Sequence, residues 1–255
     1  CIALVRSHAV EAFITCSFRV DARQSPRRTA ISSQSRVERS ASKWRRLKYG
    51  LRMSYPQGQW QQMIARDPGH SARYAERFRM LAAQGQDLYG EARLIDAMVP
   101  RAAAILDAGC GPGRHSRYLH DAGHRVVGVD VDPTLIQIAG QDAAGPAYVV
   151  GDLAEFDLPA DAPAEFDAIL CAGNVMGFLH PQTRVPVLAG FASRLSPSGR
   201  AVVGFGAGRG YEFTDFFADA ETAGLVVQSK FATWDLRPFT PAADFVVAFL
   251  TRPGS

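Results

Sequence analysis

The residues best suited to chemistry lie in one short stretch, Ile105-Leu106-Asp107-Ala108-Gly109-Cys110-Gly111-Pro112-Gly113. An apolar run ends in an acid, three glycines follow at alternate positions, and a helix pattern opens at Arg114. Such a turn delivers bare backbone to a ligand, because glycine tolerates positive φ and has no Cβ to stand in the way. A second apolar run ends in Val129-Asp130, 23 residues beyond Asp107. An acid at that place can accept hydrogen bonds from both hydroxyls of a ribose, so a nucleoside-bearing cofactor is expected. The spacing is GxGxG, whereas the dinucleotide fingerprint is GxGxxG. An anion at Asp107, two residues before the first glycine, would repel a pyrophosphate but attract an ammonium and a sulfonium.

Positioning these groups requires alternating strands and helices. Strands are expected at 103–107, 125–130, 147–150, 167–172, 200–205, 225–234 and 245–251, and helices at 114–121, 133–139, 181–195 and 214–223. Pro133 suits a first helical turn, Thr214 suits an N-cap and Gly224 a C-terminal stop. Upstream, Tyr74, Phe78, Leu81 and Ala82 share a helical face, and a second helix spans about 88–98. Continuous apolar strands alternating with helices imply a doubly wound, mostly parallel α/β sheet covered on both faces. The last two strands have no helix between them, so one of them must run antiparallel.

The motif Asp107-Ala108-Gly109-Cys110-Gly111-Pro112-Gly113 resembles motif I of the class I S-adenosylmethionine-dependent methyltransferases. Val127-Gly128-Val129-Asp130, Gly151-Asp152-Leu153, Phe166-Asp167-Ala168-Ile169-Leu170-Cys171 and Leu195-Ser196-Pro197-Ser198-Gly199-Arg200 resemble later motifs of that family, in order. Ser198 stands where the family usually has a first glycine. The resemblance covers about residues 70–251. It implies a Rossmann-like seven-stranded sheet of order 3-2-1-4-5-7-6 with the last strand antiparallel and helices preceding it. It also implies S-adenosyl-L-methionine as cofactor. Gly109, Cys110, Gly111 and Gly113 would lie against its methionine portion and Asp107 near its ammonium. Asp130 and Val131 would meet the ribose, Asp152 and Leu153 the adenine, and Ala172, Gly173 and Asn174 the methyl group. From its own helix, Tyr74 could cover the cofactor or simply pack in the core with Phe78 and Leu81. For Asp130, helix capping is a competing role that Asp132 could equally fill, and Asp152 could be a plain turn residue. Cys110 could equally be ordinary filler.

Methyl transfer from a sulfonium is an in-line displacement whose leaving group is already activated, so alignment dominates and no nucleophile–base pair is required. Asn174 and His180 are the candidate catalytic residues, with His180 the candidate base. Phe178, Arg209, Tyr211, Phe213, Trp234, Asp235, Arg237 and Phe239 follow strand ends on the acceptor side. Nucleic-acid amino methyltransferases usually carry an Asp/Asn-Pro-Pro-Tyr/Phe element after strand four, where this chain has Ala172-Gly173-Asn174-Val175-Met176. A small-molecule acceptor is therefore expected. The alternatives are an NAD(P)-dependent oxidoreductase, a non-catalytic cofactor-binding protein and an RNA methyltransferase.

Charge divides the chain unevenly. Residues 1–52 hold 12 Lys/Arg against 3 Asp/Glu, and the remainder 16 against 22. The leading segment is Ser- and Arg-rich without apolar periodicity, and reads as a disordered basic leader or an upstream translation extension, with Met53 a natural start. A transit peptide or a nucleic-acid-binding arm would have a similar composition. The methyltransferase domain is expected over 53–255, its helices at 53–100 and its core at 101–255. The acidic body disfavours nucleic acid. The four cysteines show no metal-ligand spacing, no metal site is expected, and free thiols suit a cytoplasmic protein. No run approaches the ~20 apolar residues of a membrane helix. Nothing in the sequence fixes an oligomeric state.

Overall fold

The computed structural model describes residues 55–254. The expected leader, 1–52, and its boundary at Met53 lie outside the described residues. Three helices come first, α1 (Gln59–Arg66), α2 (His70–Ala83) and α3 (Gly90–Met98). Strands and helices then alternate: β1 (Ala104–Ala108), α4 (Arg114–Asp121), β2 (Arg125–Asp130), α5 (Pro133–Asp142), β3 (Ala147–Val150) and β4 (Phe166–Cys171). The single turn α6 (Val175–Phe178) precedes α7 (Arg184–Arg194), β5 (Leu195–Gly206), α8 (Phe213–Thr222), β6 (Val226–Phe231) and β7 (Phe245–Thr251).

The seven strands form one sheet of order β3-β2-β1-β4-β5-β7-β6. Neighbours from β3 through β5 pair in parallel, and β7 runs antiparallel to both β5 and β6. The link between β6 and β7 contains no helix to carry a parallel crossover. Side chains alternate across the sheet, so Leu106, Ile169 and Val203 join one core while Ile105, Leu170 and Val202 join the other. Both faces are covered, which is why the strands read as unbroken apolar runs.

Three local expectations are corrected. The helix expected over 181–195 is a 3₁₀ turn, Pro181–Thr183, followed by α7. The Thr183 hydroxyl donates to the His180 carbonyl at 2.8 Å and helps hold that tighter turn. Thr214 does not cap α8. Glu212 holds that position without a side-chain cap, and Phe213 is already helical, its ring packed on Phe205 and Phe239. The fifth strand starts at Leu195, five residues before Arg200. Phe166 pairs with Leu195 and Ala168 with Arg200, so residues 196–199 bulge out of the ladder. Gly199 is required there, because a Cβ would sit 2.6 Å from the Phe166 carbonyl oxygen.

Candidate functional site

The carboxyl end of β1 opens into the glycine turn. The amides of Gly109 and Cys110 both donate to the Val129 carbonyl, at 2.8 and 3.1 Å, which ties the turn to β2. The three glycines serve different ends. Gly109 has φ +82°, and a Cβ there would overlap the Val175 side chain. Gly111 has φ +54° and presents its backbone to open space below Tyr74. Gly113, at φ +79°, begins α4; a Cβ would sit 2.5 Å from the Tyr148 hydroxyl and 3.0 Å from Ala139, so its smallness serves packing.

Asp130 ends β2 beside this turn. Its Oδ2 accepts from the Gly111 amide and its Oδ1 from the Asp132 amide, both at 2.9 Å. Each oxygen retains acceptor capacity. Burial pushes its pKa up to about 6, against the opposing pull of the two amides. The two competing roles are divided between the two acids. Asp132 caps α5 through Thr134 and Leu135, while Asp130 lines a cleft at the carboxyl ends of the strands.

Of the expected site residues, Tyr74, Gly109, Gly111, Asp130, Val131, Asp152, Leu153, Ala172, Gly173 and His180 line this cleft. Asp152 is turn residue and wall together: its Oδ1 accepts from the Ala154 amide at 3.0 Å. Burial raises its pKa. The cradle fits a nucleoside carrying a flexible polar tail. Its wall brings together bare glycine backbone, open space at Gly173, a carboxylate with spare acceptors, and Asp152 with apolar Leu153 and Leu135.

Four expected residues do not line the cleft. Asp107 is 1% exposed and accepts from the Ser116 hydroxyl at 2.6 Å; burial lifts its pKa to about 6. Gly113 is covered by Tyr148. Cys110 is buried, its sulfur against Gly128, and burial raises its thiol pKa. Asn174, at φ +66°, is 3% exposed. Its side-chain oxygen accepts from the Gly206 amide at 2.7 Å, pinning the end of β4 to the end of β5.

His180 lines the cleft, but its Nδ1 accepts from the Gln182 amide at 3.2 Å. In this tautomer the proton of the neutral ring is on Nε2, so the free nitrogen donates. That geometry disfavours the expected base. Phe178 is in the wall. Arg209, Tyr211, Phe213, Trp234, Asp235, Arg237 and Phe239 are not. The Tyr211 hydroxyl donates to Asp219 at 2.7 Å, Trp234 packs on Gly204, and Arg237 pairs with Asp235 at 3.2 Å.

On the side facing the glycine turn, the roof, Tyr74 and Phe178 are expected from the sequence, whereas Trp60 and Gly58 are not. Trp60 on α1 meets His70, Tyr74 and Phe178 with ring centroids 5.0, 5.1 and 5.7 Å apart. Gly58, just before α1, crosses so close to α6 that a Cβ would lie 2.6 Å from the Phe178 carbonyl oxygen. The available signal was a tryptophan within a polar helix, set before the aromatic pair Tyr74 and Phe78. Among the described residues, no three His, Cys, Asp or Glu side chains gather as a metal site. No described helix is long and apolar enough to cross a membrane.

Residues 105–199 match the family model described as a methyltransferase domain. A TehB-like SAM-dependent methyltransferase from Corynebacterium glutamicum is 52% identical in sequence and superposes with a TM-score of 0.68, covering 73% of this chain and 100% of that one. Among curated relatives, a dTDP-3-amino-3,6-dideoxy-alpha-D-glucopyranose N,N-dimethyltransferase from Streptomyces fradiae is 30% identical over 140 residues, 52% of this chain and 53% of the relative. A malonyl-[acyl-carrier protein] O-methyltransferase from Pseudescherichia vulneris is 42% identical over 67 residues, 26% of each. The chain spans about half the length or less of these curated relatives.

Proposed function

The chain belongs to the class I S-adenosylmethionine-dependent methyltransferases, and from that premise we propose that it transfers a methyl group by in-line displacement to a small-molecule acceptor. The observation that carries this reading is the convergence of Gly109, Gly111, Asp130 and Asp152 on one cleft. Asp130 receives the ribose hydroxyls on its spare lone pairs. Asp152 and Leu153 receive the adenine, and the backbone at Gly109, Gly111 and Gly173 accommodates the methionine portion. Bound there, S-adenosylmethionine supplies a methyl group on a positively charged sulfur that departs as a neutral thioether.

The residues of the chain bind, align and exclude water, with Tyr74 and Phe178 as apolar walls. Nε2–H of His180 donates to the acceptor and orients it. Among the described residues, the cleft wall contains no lysine or arginine, which disfavours nucleic acid as the acceptor. The S. fradiae relative is an N,N-dimethyltransferase of a dTDP-linked amino sugar, and an amine or hydroxyl on a small molecule suits this cleft. The catalytic unit in this reading is residues 53–255. Unpaired, buried Cys110 and Cys171 support a reducing, cytoplasmic setting.

Calorimetry with S-adenosylhomocysteine and with NAD(H), followed by labelled methyl transfer to a panel of small amines and alcohols, tests the proposal. Binding of the first ligand only, with label reaching at least one acceptor, is expected. Binding of NAD(H) alone would overturn it.

A further inference from the structure

The roof is attached to the cofactor site through a single acid. Asp132 is 1% exposed and takes four donors. Its Oδ1 accepts from the Thr134 and Leu135 amides at 2.9 and 3.3 Å. Its Oδ2 accepts from Trp60 Nε1 at 2.9 Å and from the Ser71 hydroxyl at 2.5 Å. One oxygen therefore fixes α5, and the other holds α1 and α2. The backbone amide of the same residue donates to Asp130 Oδ1. The acid facing the cleft and the acid holding the roof are thus two residues apart and share a hydrogen bond.

This attachment carries much of the weight for α1. That helix has no buried residue of its own. Its anchors are the ring contacts of Trp60, the indole hydrogen bond to Asp132 and the close crossing of Gly58 over Phe178. A helix with so few buried contacts belongs to the locally least stable part of a fold. The indole N–H meets a buried carboxylate, where a charge-assisted bond is stronger than one in water.

We propose that Trp60 and Ser71, held by Asp132, are positioning residues that keep the α1–α2 roof closed over the bound cofactor. The inference rests on the methyltransferase reading. When Asp130 engages the ribose, the Asp130–Asp132 segment is immobilised, and the oxygen that receives Trp60 and Ser71 is immobilised with it. Roof closure and cofactor occupancy thereby favour each other, as linkage requires.

The test uses the full chain, S-adenosylhomocysteine as the probe, and two variants that spare the cofactor-facing acid. Trp60→Phe keeps one six-membered ring for His70, Tyr74 and Phe178 while removing the indole donor and part of its packing surface; Ser71→Ala removes the other donor with almost no change of volume. Calorimetry gives affinity, thermal unfolding gives stability, and backbone hydrogen exchange of residues 59–66 with and without the probe gives roof closure. In the unsubstituted protein the probe should slow exchange across α1. In Trp60→Phe that protection should be largely lost and the affinity lowered about three- to tenfold, while the melting temperature without probe stays nearly unchanged. Ser71→Ala should act in the same direction more weakly.

Unaltered affinity and undiminished α1 protection in Trp60→Phe would overturn the inference while leaving cofactor binding intact. A parallel fall in melting temperature with retained protection would mark Trp60 as packing only and also overturn it. Absence of any binding by the unsubstituted protein would instead overturn the methyltransferase reading and the inference with it.

Discussion

The two sides of the cleft are built from different materials. The floor is backbone: Gly109 and Gly111 at positive φ, following β1 and tied by amide hydrogen bonds to Val129 and Asp130 at the end of its parallel neighbour β2. The roof is side chain: Trp60, Tyr74 and Phe178 in edge-on contact, hung from Asp132. Backbone fixed by a sheet changes shape only if the fold yields. Trp60 lies on a helix without buried residues, which can rearrange at smaller cost. The floor's part in cofactor binding should therefore be rigid and strongly coupled to stability, and the roof's part adaptable and less coupled to it.

The largest expected effect is on the floor. In Gly109→Ala the new Cβ meets Val175 at a backbone angle that L residues rarely adopt. Strain and overlap together should lower stability by about 2–4 kcal/mol and weaken S-adenosylhomocysteine binding more than about a hundredfold. Denaturant unfolding and calorimetry measure both. Gly58→Ala applies the same chemical change to the roof. Its φ of −70° suits any residue, so only the approach to Phe178 is disturbed. A Cβ 2.6 Å from the Phe178 carbonyl oxygen forces the α1 entry to shift, so affinity should fall about tenfold and stability by about 1–2 kcal/mol, less than in Gly109→Ala. Equal destabilisation by the two substitutions would erase the distinction between floor and roof.

A pH series sharpens the same contrast. The ionised form of Asp130 is the better acceptor for ribose hydroxyls, and burial sets its pKa near 6 in the free protein. Affinity for S-adenosylhomocysteine should thus fall about tenfold between pH 7.5 and 5. Trp60→Phe should lower the whole calorimetric curve without moving its midpoint, since the roof does not carry that acid.

Asp107 gives the smallest effect. Its pKa, like that of Asp130, is raised on folding, so its contribution to stability is full below about pH 4 and lost as pH rises through about 6. Asp107→Asn retains an acceptor for Ser116 and should stabilise the free protein by about 1 kcal/mol at pH 7.5. The gain should vanish below pH 4 in urea titrations. A constant gain across the series would assign the effect to packing instead of charge.

The difference between floor and roof also explains what could be read in the sequence. The floor is contiguous: strand, glycine turn and the acid at the next strand end lie within 105–130, and each residue type answers a local geometric demand. Gly109, Gly111 and Asp130 were therefore legible, as was the sheet order through the family resemblance. Asp107, Cys110, Gly113 and Asn174 carry the same motifs but point into the protein or pin its strands, because a motif specifies backbone course better than side-chain exposure. At His180 the Gln182 amide occupies Nδ1, a turn contact that the residue type alone does not reveal. Trp60 and Ser71 lie 72 and 61 residues from Asp132. No local pattern marks a contact at that separation.

The most direct test of the central claim compares S-adenosylhomocysteine binding to the unsubstituted protein and to Asp130→Ala by calorimetry at pH 7.5. The account requires clear binding to the former and a loss of about 1.5–3 kcal/mol in the latter, the scale of hydrogen bonds to a charged group. An unchanged dissociation constant in Asp130→Ala would contradict the role given to that acid and to the floor it completes.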